Sequence, residues 1–395
     1  MKTKILLLII FSSLGLKAQN SIKTYYKAIE LDKSGNTYQA ALLLDSAEVK
    51  NDYTYKLEGE LWLKNKKFDK AKQAFEKMNS QEKYLWLAKT YAEKQEADSA
   101  VNFLKQYLAW DKKKEMPQIT LDTSLKKISS SPAWKELWKH KWYSDTQMEL
   151  DRIAYNINNG NALNQLEQLN AIIEKDKTPR AYFLRSRIYI QTGNLKAAEE
   201  DLHKAVTYDN NPEYLKALIN LYVKQGKTTE ALRTVNRAIN LYPYDLSFTL
   251  ERAKIFEQMQ NYNLAANDLK KVYDITGDEN TGVELGNLYI KQGEYMEAIK
   301  VANKLLDKQE KSDYYNLRGE AFLLSGNNQG AYKDFTMSVD LNPNQPGIYL
   351  NIANTAFEIG YKEEACLYWK KCYEQYKDQQ AYKMLKIHCR KYLKQ

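Results

Sequence analysis

Chemistry in this chain would have to come from very few side chains. Its soft ligands and neutral-range bases are three cysteines, Cys366, Cys372 and Cys389, and three histidines, His140, His203 and His388. The histidines stand far apart, without paired-histidine or carboxylate–histidine spacing, so neither a zinc nor a hydrolase motif forms. G-x-G-x-x-G, a G-x4-G-K-[ST] phosphate loop and G-x-S-x-G are absent as well. Three Cys with His388 would be a donor set for a metal, but Cys366 and Cys372 lie six apart on one helix and point to different faces. The carboxylates are interleaved with Lys on helix faces, the pattern of a solvated surface. An active site concentrates titratable groups in a pocket, and none is apparent, so no enzyme, no cofactor and no metal is expected.

One cluster remains. In SSSPAWKELWKHKWYS, Ser131 and Pro132 make a helix start, and Trp134, Trp138 and Trp142 recur every four residues as one stripe. Such a stripe is either an exposed platform for a ligand or a buried edge joining two helical segments. Spacing of four on a helix is the ordinary mark of a core-facing side, which favours the buried edge.

The elements that carry these residues are helices. Of 395 residues, 44% are hydrophobic and 28% charged, with only 15 Gly and 7 Pro, too few for linkers or disorder. The 31 Tyr suit a helical pattern that uses an aromatic at a fixed position. The charge of +9 is far below the basic stripe that phosphate contacts require, which argues against nucleic acid.

Residues 1–18 read as a secretory signal peptide: Lys2 and Lys4, an apolar run from Ile5 to Leu16, then Lys17 and Ala18. The run is too short to span a bilayer, which takes about 20 residues. Cleavage after Ala18 leaves a mature charge of +6 and no further apolar stretch of spanning length. The expectation is export, to a periplasmic, outer-membrane-associated or secreted location, with no membrane span in the mature chain.

Internal repetition is the strongest signal. Gly193, Gly226, Gln260, Gly293, Gly326 and Gly360 align units starting near 179, 212, 246, 279, 312 and 346. Each unit pairs a residue, usually small, with an Ala twelve positions later: Ser186/Ala198, Ile219/Ala231, Ala253/Ala265, Gly286/Ala298, Gly319/Ala331 and Ala353/Ala365. Small residues at that spacing let two antiparallel helices approach closely. Three positions after the first member stands an aromatic, Tyr189, Tyr222, Phe256, Tyr289 or Phe322, which should be core. In this register ELGNLYIKQGEYMEAIK resembles the tetratricopeptide repeat. The resemblance implies an all-α, right-handed superhelical solenoid of helix pairs with a C-terminal capping helix.

Ala28/Ala40, Gly59/Ala71 and Ala88/Ala100 extend the pattern loosely toward the N-terminus. The expected organisation is therefore a signal at 1–18 and degenerate repeats at 19–108. A Trp-rich junction at 109–145, taken as the domain boundary, leads to a degenerate helix pair at 146–178. Six units at 179–378 and a capping helix at 379–395 follow.

In the family, the second, fifth, ninth, twelfth and thirteenth positions of a unit face a groove that holds a protein or peptide partner. Carried onto this sequence, these rows include Arg180, Phe183, Arg187 and Ile190; Lys216, Asn220 and Lys224; Asn287, Ile290 and Lys291; Asn354 and Phe357. Asn220, Asn287 and Asn354 recur in alternate units, and amides there can bond an extended backbone. Some family members grip a C-terminal carboxylate. Lys216 and Asn220 fit that pattern, but Glu251 and Glu284 stand where an amide and a base belong and would repel such a ligand. The expected function is a non-catalytic interaction scaffold of a bacterial envelope. The alternatives are a permanent structural subunit of an envelope assembly, or an enzyme with a site near the Trp stripe.

The cysteines follow from helix register. The last unit's second helix holds Cys366 and Cys372, the closing helix holds Cys389, and an antiparallel pair turning near Asp378 sets Cys366 level with Cys389. A Cys366–Cys389 disulfide is expected, with Cys372 a buried thiol.

Overall fold

The computed structural model describes residues 19–393, and the signal reading of residues 1–18 lies outside them. The described residues form helices and no strand. In the first half, helix 19–33 pairs with Thr37–Asp45, Asp52–Lys64 with Phe68–Glu76, and Glu82–Glu93 with Ala97–Leu108. Short pieces follow, Met116–Thr120, a 3-10 turn at Leu125–Ile128 and Pro132–Leu137, then Asp145–Asn158 and Leu166–Lys175. The repeated pairs begin Pro179–Gln191 with Leu195–Tyr208 and Pro212–Lys224 with Thr228–Leu241, and continue with Ser247–Gln258 and Tyr262–Thr276. Glu279–Gln292 with Tyr295–Leu306, Ser312–Leu324 with Asn328–Leu341, and Pro346–Glu358 with Lys362–Tyr376 complete them, and Gln379–His388 closes the array.

Local chemistry sets the ends. Pro179 and Pro212 open their helices with Thr178 and Asn211 as N-caps, and Asp378 accepts from the Ala381 amide at 2.7 Å to start the closing helix. Between paired helices the chain passes through the left-handed region, at Gly293 (φ 77°) and equally where glycine is missing, at Lys66 (φ 55°), Gln95 (φ 62°) and Gln260 (φ 58°).

Small residues close the pairs. Ser186, Ile219 and Ala353 are wholly buried, as are Ala198, Ala231, Ala298, Ala331 and Ala365. A Cβ built on Gly286 would lie 2.6 Å from Leu317 Cδ2, and one on Gly319 2.8 Å from Phe335 Cε1, so those helix contacts require glycine.

The chain divides into two compact units between Phe248 and Thr249. The division falls in the helix Ser247–Gln258, not at residues 109–145. The tryptophan segment stays in the first unit because Trp134, Leu137 and Tyr143 pack with Leu104, Tyr107, Leu108 and Ile119 in one cluster. In the second unit, one cluster runs from Ala253 to Ala321 and another from Ala331 to Cys389.

The single tryptophan stripe does not form. Its helix ends at Leu137, Trp138 is the C-cap, and Trp142 arrives from the following loop, its Nε1 donating to the Leu137 carbonyl at 2.8 Å. Trp134 and Trp138 alone keep the four-residue contact, edge to face at 5.6 Å. Trp134 is buried, as a joining edge requires.

Candidate interaction surface

The side chains that the resemblance assigns to the groove divide into those held by the chain itself and those left exposed. In the first unit, Arg180 is ion-paired to Glu115 and Asp151, and Arg187 donates to Asn158 Oδ1 at 2.8 Å. Phe183 is not an open groove residue: Tyr214 of the next pair covers it, ring centroids 4.6 Å apart, and it is buried. Lys216 lies with its Nζ 2.9 Å from Asp245 Oδ2 and 4.9 Å from the centre of the Phe248 ring. Burial pushes the Asp245 carboxyl up, but hydrogen bonds from Ser247 and Lys216 outweigh it and hold the group below the usual carboxylate range. Ile190 is half-buried, while Asn220 and Lys224 are exposed.

In the second unit Asn287 and Lys291 are exposed and Ile290 is half-buried. Lys291 donates to Glu257 at 2.6 Å, a bond that raises its pKa. Asn354 is half-buried, and its Oδ1 already accepts from Trp369 Nε1 at 2.9 Å. Phe357 packs against Trp369 at 5.4 Å and His388 at 4.5 Å, so the closing helix claims it. Of the amide row of alternate units, Asn220 and Asn287 are the exposed members.

The other candidates scatter. His203 is exposed and its Nε2 lies 2.6 Å from the Tyr222 hydroxyl, and His140 lies against Trp142 at 4.4 Å. Among the described residues no group of three His, Cys, Asp or Glu is placed to hold a metal ion. Trp138, Trp142, His140, Met116 and Met148 border a surface hollow of about 260 Å³, in which Met116 and Met148 are exposed. Cys366 and Cys389 are joined, Cα atoms 5.7 Å apart, and Cys372 is a buried thiol pushed up to about 11 by burial and the nearby Asp378 carboxylate.

A second set of residues went unread in the sequence. Arg185 pairs with Asp201, Arg252 with Asp268 and Arg318 with Asp334, each through two N–H···O bonds of 2.7–2.8 Å to a buried carboxylate. The same arginines lie 5.8–6.0 Å over Tyr189, Phe256 and Phe322. These three aromatics are half-buried, whereas Tyr222 and Tyr289 of the intervening units are buried. Arg followed by Asp sixteen positions later, in alternate units, was the available signal.

Comparison with known proteins agrees with this architecture. Residues 179–212 and 283–346 match family models described as tetratricopeptide repeat. Human tetratricopeptide repeat protein 16 is 26% identical over 211 residues, 46% of this chain and 24% of that protein. A TPR repeat-containing protein of Methanocaldococcus jannaschii is 22% identical over 53% of this chain and 39% of its own length. The chain thus spans about a quarter of the human relative and two fifths of the archaeal one. The solved C-terminal part of a TPR repeat-containing protein from Cytophaga hutchinsonii shares the fold at 18% identity and a TM-score of 0.53, covering 60% of this chain and 99% of that one. With two matched segments, and with the helix pairs of residues 179–376 in the same register, the chain contains tetratricopeptide repeats.

Proposed function

We propose that the chain is an exported, non-catalytic interaction scaffold of a bacterial envelope, and that it binds an extended segment of a partner protein on the inward faces of its first helices. The observation that carries this reading is the exposure of Asn220 and Lys224 in the first compact unit and, separately, of Asn287 in the second, on first helices of their pairs, with Ile190 and Ile290 half-buried on first helices of the same units. Amides there offer both donors and an acceptor to a peptide backbone, and the apolar neighbours offer area for its side chains. The lysine–carboxylate pairs at Lys216 and Lys291 are exposed enough to exchange partners at little cost. Export rests on the charge, apolar run and small residues of positions 1–18, and the cysteine pair suits an oxidising compartment. Immobilised chain should capture a partner from envelope extract, and one peptide tile of that partner should release it. Release by no tile, or turnover of a small molecule at the Trp138–Trp142 hollow, would overturn the reading.

A further inference from the structure

The first compact unit closes on itself. Tyr244, in the turn after Leu241, is buried by residues more than 190 positions earlier. Its hydroxyl lies 2.7 Å from Ser21 Oγ and accepts from Asn51 Nδ2 at 2.8 Å, and its carbonyl accepts from the Tyr26 hydroxyl at 2.7 Å. Tyr53 stacks on its ring at 4.7 Å, and Tyr25 meets it edge to face at 5.1 Å. Helix follows helix from 19 to 241, so this junction makes a closed circuit of residues 19–248. The contact is also separate from the N-terminal core. The cluster around Ala28, Leu44, Trp62 and Phe75 takes in no residue of 179–248, so opening the junction exposes tyrosine rings and leaves that cluster intact.

The residue after Tyr244 links the junction to the inward face. Asp245 accepts from Ser247 on one oxygen and from Lys216 on the other. Lys216, which the resemblance assigns to the groove, thus also holds the turn. An anionic group on a bound segment would compete with Asp245 for its ammonium.

We propose that Tyr244 is a latch fastening the N-terminal helix pairs to the turn at 242–247, and that Lys216 positions it through Asp245, so that engaging Lys216 from the inward face loosens the closure. The second half rests on the groove reading; the latch does not. Hydrogen–deuterium exchange of the full mature chain, without any partner, tests both halves. Tyr244→Ala should speed amide exchange at 19–33 and 51–54 at least tenfold while 279–376 keep wild-type rates. Tyr244→Phe, which removes only the hydroxyl contacts, should speed the same amides about threefold, and carries the test should the alanine variant fail to fold. Lys216→Ala should reproduce the phenylalanine pattern. Wild-type rates at 19–33 in both Tyr244 variants would overturn the latch, and acceleration in Lys216→Ala confined to 242–247 would overturn the coupling. Because no partner is present, a failure of the groove reading would show in capture experiments and leave this result standing.

Discussion

Arg318 and Asp334 face each other across one helix pair, Nε to Oδ2 at 2.7 Å and Nη2 to Oδ1 at 2.8 Å, with the carboxylate almost wholly buried. Arg185/Asp201 and Arg252/Asp268 repeat the arrangement, so the structural period of the array is two units, about 67 residues. Of the two units between, one has Leu285 and Val301 at the same positions and the other Leu218 and Thr234, with no charge in either. Truncating Arg318 to Ala should cost about 3–5 kcal/mol, because it leaves a buried carboxylate unpaired. Arg318→Leu with Asp334→Val should stay within about 1.5 kcal/mol of wild type, since replacing both charges removes the desolvation penalty with the attraction. Urea denaturation of the two variants checks the contrast; equal losses would contradict it.

Glycine at the helix crossings is required by space. Gly286→Ala and Gly319→Ala should each cost about 1–3 kcal/mol by overpacking against Leu317 and Phe335, and leucine at either site should unfold the array. Thermal melts followed by far-ultraviolet circular dichroism measure both.

Much of this was legible in the sequence because it is periodic. Ser186/Ala198 and its five counterparts gave the helix pairs, and Gly293 and Gly326 gave the turns. What was not read is of two kinds. The Arg–Asp pairs are periodic as well, but over two units rather than one, and single-unit alignment averages them with Leu285 and Val301. Tyr244 against Ser21 lies 223 positions away in sequence and obeys no period, so no spacing encodes it. Asn354 was read as open because its register matches Asn287, but the bond that occupies it comes from Trp369, a residue peculiar to the last unit.

The last cysteines give a redox prediction. The Cys366–Cys389 bond closes a separation of 23 residues and should stabilise the closing helix by about 3 kcal/mol, a model-dependent figure. Non-reducing peptide mapping should join these two and leave Cys372 unmodified by alkylating reagent until the chain unfolds, since burial keeps that thiol protonated. A crosslink at Cys372 would refute the pairing.

Alkaline pH should loosen the first unit at its tyrosine junction. Burial raises Tyr25 to about 12, with Tyr26 and the Glu60 carboxylate adding to the effect. Keeping that phenol neutral therefore contributes stability that is complete below the unfolded value near 10 and is lost as pH rises through about 12. After allowance for partial solvent exposure the loss is at most about 2 kcal/mol. Ultraviolet titration at alkaline pH, with exchange at 19–33 as a local readout, should show the two rising together.

Binding of a protein partner by the exposed side chains of the first helices is what capture tests. The most direct measurement is quantitative capture from envelope extract by the wild-type chain and two double variants, Lys216→Ala/Asn220→Ala and Asn287→Ala/Lys291→Ala, each first shown to be helical. Exposed substitutions usually cost within about 0.5 kcal/mol of stability, so the melting temperature of Asn287→Ala/Lys291→Ala should hardly move, while Lys216→Ala/Asn220→Ala also loses the Lys216–Asp245 bond and should melt slightly lower. At least one double variant should lose a wild-type partner tenfold or more. Undiminished capture of every partner by both folded variants would contradict it.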